Sequence, residues 1–199
     1  MSEYYIEVAN AALGWIGETE GPALNEAVYN AGAAFDLPFL EIGGYAGKSA
    51  CWIGAAAREL DTVLFSVDWH RGSPEMAPGR ECHHPEVIGI DGVHDTLPHF
   101  RANVRRAGLE QYVIPVAASS HDLAQYWNTQ VSFLFIDGDH SEEGVMDDFL
   151  SWEGNIVPGG TLALHDYPVI SGRAAIVAGQ MGYTHTLQTE SLLLMEKSA

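Results

Sequence analysis

Positive charge is what this chain lacks: nine lysines and arginines stand against 27 aspartates and glutamates, for a formal net charge of −18. A field of that sign repels polyphosphate backbones, which makes nucleic acid a poor partner. Cysteine is nearly missing as well. Cys51 and Cys82 form no metal-binding or redox spacing, so reduced thiols are expected rather than a disulfide. No apolar run approaches the length of a membrane span, and the opening M-S-E-Y-Y-I-E is acidic where a secretory signal is basic. A cytoplasmic chain with no membrane partner is expected.

What is present suffices for one core. With 199 residues, 47% of them hydrophobic, the chain can bury one substantial interior and has no length for a second full domain. A single domain over residues 1–199 is expected, with a helical cap at 1–36 and an α/β core at 37–199. Apolar residues fall at helical spacing in Tyr4 to Ile16 and in Pro22 to Phe35. Short apolar strands then alternate with helices. The expected strands are Phe39 onward, Val63 to Asp68, Tyr112 to Ala117, Val131 to Ile136, Thr161 to Leu164, Tyr183 to Thr189 and Ser191 to Glu196. Helices are expected at Lys48 to Leu60, Thr96 to Ala107, His121 to Trp127, Glu142 to Trp152 and Ser171 to Met181, with Pro158-Gly159-Gly160 as a turn. That alternation implies a doubly wound, mainly parallel seven-stranded sheet with helices on both faces and a terminal antiparallel hairpin.

The segment Phe39 to Ser49, F-L-E-I-G-G-Y-A-G-K-S, carries most of the functional information. A strand ends in a carboxylate and turns through glycines into a helix, so the backbone can approach a ligand closely beside unpaired helix N–H groups. A dinucleotide site requires G-x-G-x-x-G, and the glycines here stand at the wrong offsets. A phosphate-binding loop requires four residues between its glycines where Gly43 and Gly47 have three, and Glu41 at the loop mouth disfavours phosphate. The pattern E-x-G-x-x-x-G-x-S resembles the first motif of class I S-adenosylmethionine-dependent methyltransferases. The resemblance implies that Glu41 helps to organise the methionine amino group while Gly43, Gly44, Tyr45, Gly47 and Ser49 line the cofactor. About twenty residues on, the strand V-L-F-S-V-D closes on Asp68, placed to accept ribose hydroxyls in a doubly wound sheet. Trp69 and Tyr45 are available to stack on adenine or to pack on the sheet.

The densest chemistry follows the fourth strand in F-I-D-G-D-H-S-E-E-G and the fifth in L-H-D-Y. Both fall at the edge where open sheets bind ligands, bringing Asp137, Asp139 and His140 towards His165 and Asp166. Asp137 and Asp166 at adjacent strand ends are candidate ligands for a divalent ion, with His165 as a third. Oxygen donors favour magnesium, and an imidazole shifts preference towards manganese, iron or zinc. D-G-D-H-S-x-E-G-V followed by P-G-G-x-L-A-L-H-D-Y resembles a small bacterial branch of class I methyltransferases. It includes macrocin-type O-methyltransferases and cephalosporin hydroxylase-like proteins. This likeness runs from about Gly14 to Tyr167 and implies a Rossmann-like fold, with Asp137 and Asp166 on magnesium or manganese and Ser119 near the adenine. His165 departs from the oxygen donor usual at its position. His140 is placed to take a proton from a substrate hydroxyl.

The expected activity is therefore S-adenosylmethionine-dependent O-methylation of a small molecule, with a homo-oligomer left open as a partner state that no residue pattern decides. A phosphotransferase using Lys48, Ser49 and Asp137, and a cofactor-binding module without turnover, are the alternatives. Arg71 and Arg80 are expected near an anionic substrate. His70, His83, His84, His94 and His99 are too irregularly spaced for a metal cluster and are expected as substrate contacts or surface residues.

Overall fold

Every residue of the strand Val131–Ile136 is buried, and its side chains alternate: Phe133 and Phe135 enter one core, Leu134 and Ile136 the other. A strand covered on both faces cannot show a polar stripe, which is why its sequence is a continuous apolar run. The computed structural model describes residues 4–73, 76–80 and 82–199. In it this strand is β4 of a seven-stranded sheet, with β1 (Phe39–Ile42), β2 (Leu64–Asp68), β3 (Val113–Ala117), β5 (Ile156–Leu164), β6 (Tyr183–Thr189) and β7 (Leu192–Lys197). The order is β3-β2-β1-β4-β5-β7-β6, parallel except that β7 runs antiparallel to both its neighbours.

Helices α1 (Tyr4–Ala11), α2 (Glu20–Ala34), α3 (Lys48–Glu59) and α4 (Leu97–Arg106) cover the Phe133 face through Val8, Leu24, Val28, Trp52, Ile53 and Phe100. On the Leu134 face lie α5 (Ser120–Ala124), α6 (Glu142–Trp152) and α7 (Gly172–Gln180), with Val145, Phe149, Trp152 and Ala174 in the core. Each such aromatic or branched side chain contributes about 1.5–3 kcal/mol by leaving water. The strand order reverses between β1 and β4. A crevice therefore opens at their carboxyl ends, which fixes where a ligand goes.

Local sequence decides where the elements stop. The first helix ends at Ala11 rather than Ile16, because Gly14 adopts φ of +136°, outside the helical region. Pro158-Gly159-Gly160 is no turn but lies inside β5, where Gly160 passes the Ser132 carbonyl so closely that a Cβ would sit 3.0 Å from it. The β4–β5 register shifts there. The helix expected over His121 to Trp127 is the shorter α5, Ser120–Ala124.

One buried polar contact ties the cap to the sheet. Glu20, at the start of α2, accepts hydrogen bonds from Gly17 N (2.8 Å), Ser191 N (2.8 Å) and Ser191 Oγ (2.8 Å), and its Oε2 lies 3.2 Å from His165 Nε2. Burial alone would raise the Glu20 carboxyl, but the bonds from His165, Gly17 and Ser191 outweigh it and hold it at about 2. A carboxyl depressed in this way gives stability that is fully present above its ordinary value of 4.5 and lost as pH falls towards 2. Glu20→Gln is expected to cost about 3 kcal/mol near neutral pH, since it leaves a buried imidazole short of its counter-charge. Urea unfolding of both proteins should show that gap narrowing by more than half at about pH 3. An unchanged gap would place the stabilisation elsewhere.

Candidate active site

At the end of β1 the chain turns through Gly43, whose φ is +96°. A Cβ there would lie 2.1 Å from the Asp137 carbonyl oxygen, so the glycine permits the β1 loop to touch the β4 loop. Gly47 follows at φ +88° as the residue before α3, where a side chain would press on Phe100. Between them Tyr45 donates its N–H to Asp68 Oδ2 at 2.7 Å, and Asp68 Oδ1 accepts the N–H of His70 at 2.6 Å. Asp68 thus pins the glycine loop to the end of β2.

Glu41 is fully buried beneath this loop and accepts a hydrogen bond from Ser66 Oγ, its partner in the β1–β2 register. Burial pushes its carboxyl up to about 7, with hydrogen bonds from Ser49 and Ser66 opposing and Asp137 and Asp68 adding. It does not reach the cavity above. Its Oε2 is bonded across to β2, while its Oε1 is buried without a hydrogen-bond partner among the described residues.

The cavity over the carboxyl edge has a volume of about 610 Å³. Gly43, Gly44, Tyr45, Ser49, Asp68, Trp69, Ser119, Asp137 and His140 lie on its wall. Gly47 does not, and shapes the loop instead. Trp69 is 57% exposed, with its indole N–H on Gly72 O at 3.0 Å, so its ring stands over the opening. Ser119 caps α5, accepting from Asp122 N at 3.3 Å. Behind it Asp148 is buried and accepts from Ser120 Oγ. Burial raises Asp148 to about 6, opposed by Ser120 and assisted by Asp139 and Asp147.

The acids and histidines after β4 and β5 do converge, in a different arrangement from the expected one. His165 is buried with Nδ1 3.0 Å from Asp137 Oδ1 and 3.4 Å from Asp166 Oδ1, while Nε2 faces Glu20. Burial disfavours its charge, but Asp137, Glu20 and Asp166 outweigh that and push it up to about 11. His165 thus faces both acids from the interior side. His140 faces the same acids from another side: Nε2 lies 3.6 Å from Asp166 Oδ2 and 4.0 Å from Asp137 Oδ1. Asp137, His140 and Asp166 offer one donor atom each within 4.8 Å of one another, compatible with one small divalent ion.

Several contributors escaped the sequence. Trp15 sits over the cavity with its ring 5.2 Å from Tyr45, 5.5 Å from His84 and 6.0 Å from His140. Its only sequence signal was its place beside Gly14, where the family likeness begins. His94 reaches the wall, whereas His70 is buried against Thr96 Oγ1 at 2.7 Å. Arg71 pairs with Asp95 at 3.8 Å near the surface, and neither it nor Arg80 lines the cavity.

The chain matches the profile of a methyltransferase-domain family over residues 40–167. It is similar in structure to the O-methyltransferase NovP (TM-score 0.71, 15% identity, 92% of this chain and 81% of that one covered). It is also similar to an O-methyltransferase from Bacillus cereus in complex with SAH (TM-score 0.66, 18% identity, 99% and 92% covered). A third is the O-methyltransferase TomG from Streptomyces achromogenes, in complex with SAM (TM-score 0.66, 14% identity, 100% and 91% covered). With the profile spanning both the glycine loop and the acid–histidine edge, this chain belongs to the class I S-adenosylmethionine-dependent methyltransferases.

Proposed function

We propose that the protein transfers the methyl group of S-adenosylmethionine to a hydroxyl of a small molecule. The observation that carries this is that the glycine loop with Asp68 and the Asp137–His140 loop open into one cavity. A ribose recognised by Asp68 would leave the other end of the ligand beside His140. The cofactor supplies an activated methyl on its sulfonium, so the protein need only align, exclude water and manage a proton.

Those tasks fall to named residues. Tyr45 and Trp15 close the roof, and Trp69 and Ser119 flank the adenine end. His140 Nε2, within 3.6 Å of Asp166 Oδ2, accepts the acceptor hydroxyl's proton, and the carboxylate stabilises the imidazolium that results. In that step the O–H and S–C bonds break, the O–C bond forms, and S-adenosylhomocysteine leaves. Asp137 positions His140 and is itself held by His165. Asp137, His140 and Asp166 also fit a divalent ion, which would lower the acceptor's pKa. The acidic chain, with 27 carboxylates against nine basic residues, favours a small acceptor over nucleic acid.

Calorimetric titration with S-adenosylhomocysteine should give micromolar binding, weakened about tenfold or more by Asp68→Ala through loss of charge-assisted hydrogen bonds. Absence of binding, with or without magnesium or manganese, would overturn the reading. His140→Ala should lower kcat by about 10²-fold or more while leaving that affinity within about twofold, as removal of a general base does. Manganese binding to the wild type that His140→Ala abolishes would instead make His140 a ligand.

A further inference from the structure

The connection between β2 and α4 departs at His70 and returns at Thr96, and its two ends are paired residue by residue. His70 Nδ1 and Thr96 Oγ1 share a hydrogen bond at 2.7 Å, and Thr96 N donates to His70 O at 3.3 Å. One step outward, Arg71 Nη1 lies 3.8 Å from Asp95 Oδ2. One step further, Gly72 passes so close to the His94 ring that a Cβ would sit 2.9 Å from it. The clasp thus runs from a buried base at His70 and Thr96 to the cavity wall, which Gly72 and His94 share.

Its base is also tied to Asp68. His70 adopts φ of +60°, uncommon for a residue with a side chain, and turns its N–H back onto Asp68 Oδ1 at 2.6 Å. Its ring is 2% exposed and meets Phe100 edge-on, with centroids 5.6 Å apart. Thr96 stands at the N-cap of α4, where a hydroxyl ordinarily accepts a helix N–H, yet its side chain makes no capping bond and meets His70 instead. We propose that His70 is a positioning residue that couples Asp68 to the β2–α4 connection, so that a ligand held by Asp68 tightens the connection over the cavity, an inference that rests on the methyltransferase reading. The connection has little core of its own. Among its described residues only Met76 and Val87 are buried hydrophobics, while Ile90 and Val93 are exposed, so its local stability depends on the clasp. Each Asp68 oxygen accepts one N–H, from Tyr45 or from His70, and keeps a lone pair for a ligand hydroxyl. Whatever holds Asp68 in this position therefore also holds what is anchored to it.

Hydrogen exchange read amide by amide tests this, with and without S-adenosylhomocysteine at a concentration that calorimetry shows to saturate each protein. The reporters are the N–H groups of Gly89 and Asp95, bonded within the connection to Val93 O at 2.7 Å and Val87 O at 2.8 Å, on residues that do not line the cavity. In the wild type the compound should slow both about tenfold or more, the ordinary size of a coupling between two sites. His70→Gly keeps the backbone conformation and removes the ring, and it should shrink the slowing to about twofold or less. Thr96→Val, which removes the hydroxyl alone, should do the same and serves if the first variant does not fold. His70→Asn, which tolerates this backbone and keeps a polar side chain, should retain most of the effect. A histidine that merely supports the fold would leave the slowing unchanged in His70→Gly and Thr96→Val. That result, or a wild type that binds the compound without slowing either amide, overturns the inference alone. A wild type that does not bind it overturns the methyltransferase reading, and the inference with it.

Discussion

The structure turns on the contact between two loops. Gly43 lies so close to the Asp137 carbonyl that no side chain fits between them, and Asp137 N in turn donates to Ile42 O at 2.9 Å. This contact sits at the reversal of strand order, between β1 and β4, and makes one cavity of what would otherwise be two strand ends. The cofactor loop and the reacting groups are thereby set against each other by backbone, whose geometry is stiffer than any side-chain contact. Asp68 completes the arrangement by fixing Tyr45 N from the neighbouring strand.

Charge near the site is managed by depth. His165 is an interior cation surrounded by Glu20, Asp137 and Asp166, so the two acids facing the acceptor end are partly neutralised from behind. Glu41 and Asp148 meet no such cation, and burial lifts them to about 7 and about 6. The formal charge of −18 therefore overstates the field inside the cavity. It also explains why a serine accompanies each buried acid: Ser66 on Glu41 and Ser120 on Asp148 supply a hydrogen bond without adding charge.

How much could be read in advance followed from the range of the interactions. β4 and α6 lie at Val131–Ile136 and Glu142–Trp152, where the sequence pattern put them, because local pattern and packing agree. Pro158-Gly159-Gly160 reads as a turn and is strand, since the need was for a close pass beside Ser132 that only the partner strand reveals. Asp137, Asp166 and His140 were visible as strand-end chemistry. The place of His165 between these acids and Glu20 was not, because Glu20 is 145 residues away in sequence. The bond from Ser66 to Glu41 was not legible for a similar reason: it crosses from β2 to β1.

The roof over the cavity shows the same dependence on distant partners. Trp15 is 42% exposed, an ordinary surface aromatic by exposure alone, yet it meets Tyr45 from the glycine loop, His84 from the long β2–α4 connection and His140 from the β4–α6 loop. Three segments that share no secondary structure therefore meet at one ring. Gly14 O, next to it, receives Lys48, so the chain before α2 is fixed from both the apolar and the polar side. One short segment, residues 13–16, thus lines the cavity, in a conformation that Gly14 permits and that its helix-like sequence gives no sign of.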